Sequence, residues 1–191
     1  MSILQTSYAS RLQPLKATLG VLALGLLALV APAAAAPGND QRAPDLGDCQ
    51  KLKAPEGNKV ALHVLGVGVQ IYRWNGTSWN FVAPEAVLYA NAGANGEVGI
   101  HFGGPTWQSN SGSKVVGTVV DFCIADTDAI PWLLLKSVPE LTEGPGIFGQ
   151  VTYIQRLNTV GGKAPTVPGD FLGQVARIPY TADYYFYRKH K

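Results

Sequence analysis

The sequence predicts a single all-β domain, either an antiparallel β-sandwich or a closed β-barrel, preceded by an irregular arm. Three observations carry that reading. Apolar and polar residues alternate with period two over several stretches rich in β-branched and aromatic side chains. Clusters of Gly, Asn, Pro and Ser recur at short intervals between those stretches. After residue 36 no segment of useful length has the spacing of an amphipathic helix. Many short strands with regular turn signals are the mark of a sandwich or a barrel.

Residues 1–36 read as a secretory signal peptide. Arg11 and Lys16 precede an apolar run from Leu19 to Val30, and Ala34-Ala35-Ala36 fits the small-residue cleavage rule. The run is about a dozen residues long, whereas a spanning helix needs roughly 20. No second long apolar run follows, so no membrane span is expected in the mature chain. Secretion or delivery to the periplasm is the expected destination. Removing Arg11 and Lys16 brings the 15 basic residues level with the 13 acidic ones. A balanced chain offers no electrostatic case for nucleic acid, which needs a basic patch or stripe. The Arg188-Lys189-His190-Lys191 cluster reads as a solvated end.

Residues 37–58 hold charges and prolines with little periodicity and read as the arm. The domain proper is placed at 59–191. Export permits a disulfide between Cys49 and Cys123, the two cysteines of the chain. Sequence leaves open whether their sulfurs meet.

From Lys59 the alternation begins. Val60, Leu62 and Val64 are followed by Val67, Val69 and Ile71, with Gly66 and Gly68 marking a bend, a bulge or a close approach of backbones. Trp74-Asn-Gly-Thr-Ser-Trp79 signals a hairpin. A two-residue Asn75-Gly76 turn competes with a four-residue loop. The longer loop is favoured because it pairs Trp74 with Trp79, Tyr72 with Phe81, Arg73 with Asn80 and Ile71 with Val82, matching like with like. Asn75-Gly76-Thr77 is also a glycosylation sequon, which matters only in a eukaryotic host.

Ala83-Pro84-Glu85 breaks the pattern, Val87 to Tyr89 resumes it, and Asn91 to Gly96 is a turn. Gly99 to Phe102 then runs as a strand into the rigid corner Gly103-Gly104-Pro105, with Thr106 and Trp107 beyond it. A polar loop from Gln108 to Lys114 leads into Val115, Val116, Val119 and Val120. Ile130 to Lys136 is a short buried segment whose period is ambiguous between strand and helix. Val151 to Asn158, Gln174 to Ile178 and Tyr184 to Tyr187 close the chain as strands.

Several strings taken together, GVGVQIYRW, FVAPEAVLY, HFGGPTWQS with SGSKVVG, AIPWLLLKS, GQVTYIQRLNT with GGKAP, and IPYTADYYFY, resemble the family known as domain of unknown function 3455. The resemblance covers roughly Leu62 to Tyr187. It implies a small secreted protein and supplies no catalytic residue. Some members carry the label malate dehydrogenase. Here Gly66-Val67-Gly68 lacks the third glycine of a dinucleotide fingerprint, and no βαβ unit surrounds it, so NAD-dependent dehydrogenase chemistry is not expected. In one departure from the family pattern, Pro168-Gly169-Asp170 follows the GGKAP loop where a cysteine is associated with the family.

The chemistry candidates are few. His101 shares strand parity with Glu97, Gly99 and Gly103, so its face is open to a ligand or another backbone. Glu97 lies roughly 13 Å away along that strand, too far for an acid–base pair. Proline fixes the corner beside Trp107, and Gln155, Arg156 and Asn158 bring polar groups from another strand, where they could also satisfy buried tyrosine hydroxyls. His101, Thr106, Trp107, Gln155, Arg156 and Asn158 are therefore the expected ligand-binding set. His63 and His101 lack any metal-ligand spacing motif, so neither metal nor cofactor is expected. No Gly-x-Ser-x-Gly exists. The expected function is binding of a glycan or other small polar ligand in the cell envelope or outside the cell. A secreted hydrolase or lyase and a purely structural envelope protein are the alternatives; catalytic residues and oligomeric state stay open.

Overall fold

The computed structural model describes residues 42–190, so the leader read from residues 1–36 lies outside the described residues. Eight antiparallel strands follow one another around a closed barrel: β1 Asn58–Trp74, β2 Trp79–Tyr89, β3 Glu97–Phe102, β4 Thr106–Ser109, β5 Lys114–Cys123, β6 Trp132–Ser137, β7 Tyr153–Gly161 and β8 Val175–Lys189. Each strand pairs with its neighbour in sequence, and β8 returns to β1 with Val60 opposite Tyr187 and Arg73 opposite Val175. Closure removes free sheet edges. The only helical turns among the described residues are 3₁₀ turns at Gln50–Leu52 and Pro139–Leu141. None of the described helices is long and apolar enough to cross a membrane.

The alternation seen in the sequence is the alternation between barrel lumen and outer face. Val64, Leu88, Val115, Ile154, Ala182 and Phe186 point into one core, and Phe148, from the long connection between β6 and β7, packs into the same core. A second cluster lies on the outer face. Leu46, Cys49 and Leu52 of the arm pack on Leu134, Leu157, Tyr153 and Tyr185 of the wall. The Cys49–Cys123 disulfide fastens this arm to the end of β5. The strand bearing Tyr184 to Tyr187 is thus covered on both sides, as its aromatic run demands.

One hairpin follows the sequence reading in most of its register, and several connections differ from it. The Trp74–Trp79 hairpin takes the four-residue loop, with Trp74 opposite Trp79, Arg73 opposite Asn80 and Tyr72 opposite Phe81. A bulge then shifts the register, so Ile71 faces Ala83 rather than Val82. The bulge absorbs the extra residue before Pro84, which has no N–H to donate to a ladder. Ile130 to Lys136 resolves as a strand beginning at Trp132. Thr106–Ser109 is a strand of its own, β4, which places the Gly103–Pro105 corner as a tight turn between two paired strands. Gln174 to Ile178 and Tyr184 to Tyr187 belong to one continuous strand running through Pro179.

Two glycines in β1 are required by contact. A Cβ on Gly68 would come within 2.1 Å of the Glu85 carbonyl oxygen, and one on Gly66 within 2.5 Å of the Tyr184 ring. The first allows β1 to press against β2; the second clears the space that Tyr184 occupies inside the barrel.

Candidate functional site

In β3 the usual rule for amphipathic strands is reversed. Ile100 is exposed on the outside, while His101 is only 3% exposed inside the barrel. The reversal holds because the inner face of β3 and β4 is built for a ring. His101 pairs across the sheet with Trp107, and the two rings stack at 4.4 Å with an interplanar angle of 9°. Tyr184 meets both edge-on, at 5.2 Å from His101 and 5.6 Å from Trp107. Trp107 and Tyr184 are almost wholly buried.

The turn that follows β3 fixes the imidazole. His101 Nδ1 lies 2.8 Å from the Thr106 carbonyl oxygen. A carbonyl can only accept, so Nδ1 carries the proton and donates it. Nε2 therefore keeps its lone pair as the remaining polar atom of the ring. Thr106 in turn holds the corner, donating from Oγ1 to the Gly103 carbonyl at 3.0 Å. Burial lowers the His101 pKa to about 3; the Thr106 carbonyl pulls it upward, and the positive charge of Arg156 pushes it down. His101 is neutral at physiological pH.

Arg156 comes from β7, with Leu133 opposite it on β6 and Tyr184 opposite it on β8. Its Nε and Nη2 both donate to the Pro131 carbonyl, at 3.2 and 2.7 Å. Burial raises the Tyr184 hydroxyl pKa, and Arg156 offsets part of that rise. Tyr184 and Tyr180 hydroxyls sit 3.1 Å apart, and Tyr180 is likewise shifted upward by burial. Both phenols are protonated at neutral pH.

These four side chains, His101, Trp107, Tyr184 and Arg156, border one cavity of about 190 Å³. The rest of its wall is apolar: Phe81, Val82, Pro84, Val119, Leu133 and Leu135, with Gly103 to Pro105 forming one side. Phe81 and Val119 are each more than half exposed, so the hollow communicates with solvent past greasy side chains. No Asp or Glu lines it. Among the described residues no group of three His, Cys, Asp or Glu side chains gathers as metal ligands. Trp107 Nε1 is buried and finds no acceptor.

Of the six residues expected from sequence, His101, Trp107 and Arg156 share this cavity, and Thr106 supports it from behind. Gln155 and Asn158 do not reach it. Gln155 faces the arm on the outer side, where its Nε2 donates to the Leu52 carbonyl at 2.7 Å and its Oε1 accepts from the Tyr187 hydroxyl at 2.6 Å. It borders a separate hollow of about 230 Å³ beneath the arm. Both ends of its amide are thereby engaged within the protein. Asn158, in a left-handed conformation at φ 49°, donates to Asp183 Oδ2 at 2.8 Å. Asp183 Oδ1 meets His63 Nε2 at 2.9 Å, and His63 stacks on Tyr185 at 4.0 Å. His63 and His101 thus belong to opposite faces of the wall.

Sequence reasoning missed Tyr184 as a site residue, together with the apolar wall. Tyr184 alternates with Ala182 and Phe186, which marks an inward face, but only barrel closure brings that face opposite His101.

The sequence profile of the family described as "Protein of unknown function (DUF3455)" matches residues 55–188, nearly all of the barrel, and the chain belongs to that family. No curated protein and no solved structure matches the chain.

Proposed function

We propose that this member of the DUF3455 family is an exported barrel that binds one small molecule in the cavity bordered by His101, Trp107, Tyr184 and Arg156. Export is supported by the leader-like residues 1–36 and by the disulfide, which persists in oxidising compartments. The observation that carries the binding reading is a small set of polar groups converging in an otherwise apolar hollow. At about 190 Å³ the hollow is smaller than the ~300–1,000 Å³ of drug-sized sites. A single ring or a short chain fits that space. The greasy wall favours an apolar body with one polar group over a bare sugar, whose hydroxyls would face Phe81, Pro84 and Leu133 without partners.

Val119 stands at the opening, 52% exposed. Replacing it with Trp narrows the mouth without disturbing the inner rings. Ligand-observed NMR with a panel of single-ring acids, alcohols and amides should show binding to the native protein. Val119→Trp should lose that binding while keeping the native circular dichroism. Binding that survives in the variant, or no binding by any compound of this size, would contradict the proposal and favour a structural role.

The geometry of His101 supports a second reading, a lyase or hydrolase. Its tautomer is fixed by the Thr106 carbonyl, which leaves the Nε2 lone pair on a ring that borders the cavity; with its pKa at about 3 that nitrogen would act as a weak base. In the same titrations, chemical conversion of the bound compound that disappears in His101→Gln would favour it. A ligand recovered unchanged would oppose it.

A further inference from the structure

We propose that the ligand of this cavity is an organic monocarboxylate whose head pairs with Arg156 and whose apolar body lies against Leu133, Leu135 and Trp107. This rests on the binding reading above and specifies the chemical class of the ligand. The ion pairs recorded among the described residues are Lys51–Asp121, His63–Asp183, Lys114–Glu143 and Arg177–Glu85. Arg156 belongs to none of them. Arg156 is only partly accessible and borders an apolar cavity, yet its partners from the protein are uncharged: the Pro131 carbonyl, which takes both Nε and Nη2, and the protonated Tyr184 hydroxyl. A guanidinium has five N–H donors in a planar fork. Most buried charges are paired, because an uncompensated ion in a low-dielectric site is costly.

The neighbouring groups add no negative charge. His101 is neutral, and Tyr184 and Tyr180 hold their protons because burial opposes phenolate. The cavity therefore carries one net positive charge, with the Tyr184 hydroxyl and the Arg156 fork both at its wall. A carboxylate matches that fork in shape and charge. The remaining wall rejects a small hydrated anion and rewards a hydrocarbon body. An anion with both properties is a short or single-ring carboxylic acid, not an inorganic phosphate and not an oligosaccharide.

The test uses the full mature chain and four probes: 3-phenylpropanoate, its alcohol 3-phenylpropan-1-ol, its amide, and acetate. Binding to native protein, Arg156→Lys and Arg156→Met is measured by calorimetry at low and moderate salt. The native protein should bind 3-phenylpropanoate at least about tenfold more tightly than the alcohol, the amide or acetate, the scale of a charge-assisted bidentate pair. Arg156→Met should reduce the preference for acid over alcohol to within about twofold while leaving alcohol binding in place. Arg156→Lys should keep part of the preference, which distinguishes loss of charge from loss of the Pro131 contact. Alcohol bound as tightly as acid, or a preference that survives Arg156→Met, would overturn the carboxylate assignment and leave the binding reading standing. Acetate bound as tightly as 3-phenylpropanoate would overturn the apolar half. If none of the four binds, the cavity reading fails along with its ligand.

Discussion

At the scale of single residues, His101 decides most. It is a titratable ring enclosed by Trp107 and Tyr184, with its proton anchored on the Thr106 carbonyl. Burial is the main reason that its folded pKa falls to about 3, against about 6.5 in the unfolded chain. Between these values the unfolded state binds more protons. Stability contributed by the neutral ring is therefore complete above about pH 6.5 and declines as the pH falls toward about 3. The loss has a slope of up to about 1.4 kcal/mol per pH unit inside that window. Urea unfolding at pH 7, 5.5 and 4.5 should show native protein losing stability faster than His101→Gln. Parallel profiles would mean that the ring titrates freely in the fold. The sequence pointed to His101 by its isolation among glycines, and to Trp107 by the proline that fixes it. It could not show which face of β3 turns inward, because apolar Ile100 and polar His101 compete for the lumen and Ile100 loses. Stacking on Trp107 and the bond to Thr106 compensate the buried imidazole, and no local pattern reports them.

At the scale of elements, the arm and the wall strands bear different tasks. The arm packs Leu46 and Leu52 on the outer face of β6 and β7 and is tied to β5 by Cys49–Cys123, with 74 residues of sequence separation between the cysteines. A cross-link over a loop of that length stabilises chiefly by restricting the unfolded chain, typically by about 2–4 kcal/mol. The Cys49→Ser, Cys123→Ser double variant should lose stability on that scale in denaturant titrations while its ligand affinity stays within about twofold of native, because the arm lies across the wall from the cavity. A large loss of affinity would show that the arm reaches the lumen. Hairpins were readable where side chains match across the turn, as with Trp74 and Trp79. The short strand β4 was not, since four residues after a Gly-Gly-Pro corner carry too little alternation to separate strand from loop. Gln155 and Asn158 lie on the same strand as Arg156 but face the other way; a strand's parity separates Gln155 from Arg156, and a bulge between Leu157 and Val160 breaks the count for Asn158.

At the scale of the whole molecule, alternation announced layered strands, but closure could not be read from it. Whether the ends of a sheet meet depends on tilt and stagger summed over all strands. That closure, β1 against β8, is what sets Tyr184 facing His101 and completes the cavity. The account's central claim is that this lumen, rather than the outer face, receives a ligand. The most direct measurement follows the indole and backbone amide resonances of isotope-labelled protein as 3-phenylpropanoate is added. The account predicts saturable shifts at the Trp107 Nε1–H, which has no acceptor in the free protein, and at the amides of His101, Gly104, Leu133 and Arg156. Shifts confined to the arm around Leu46 and Gln50, or none at millimolar ligand, would contradict it.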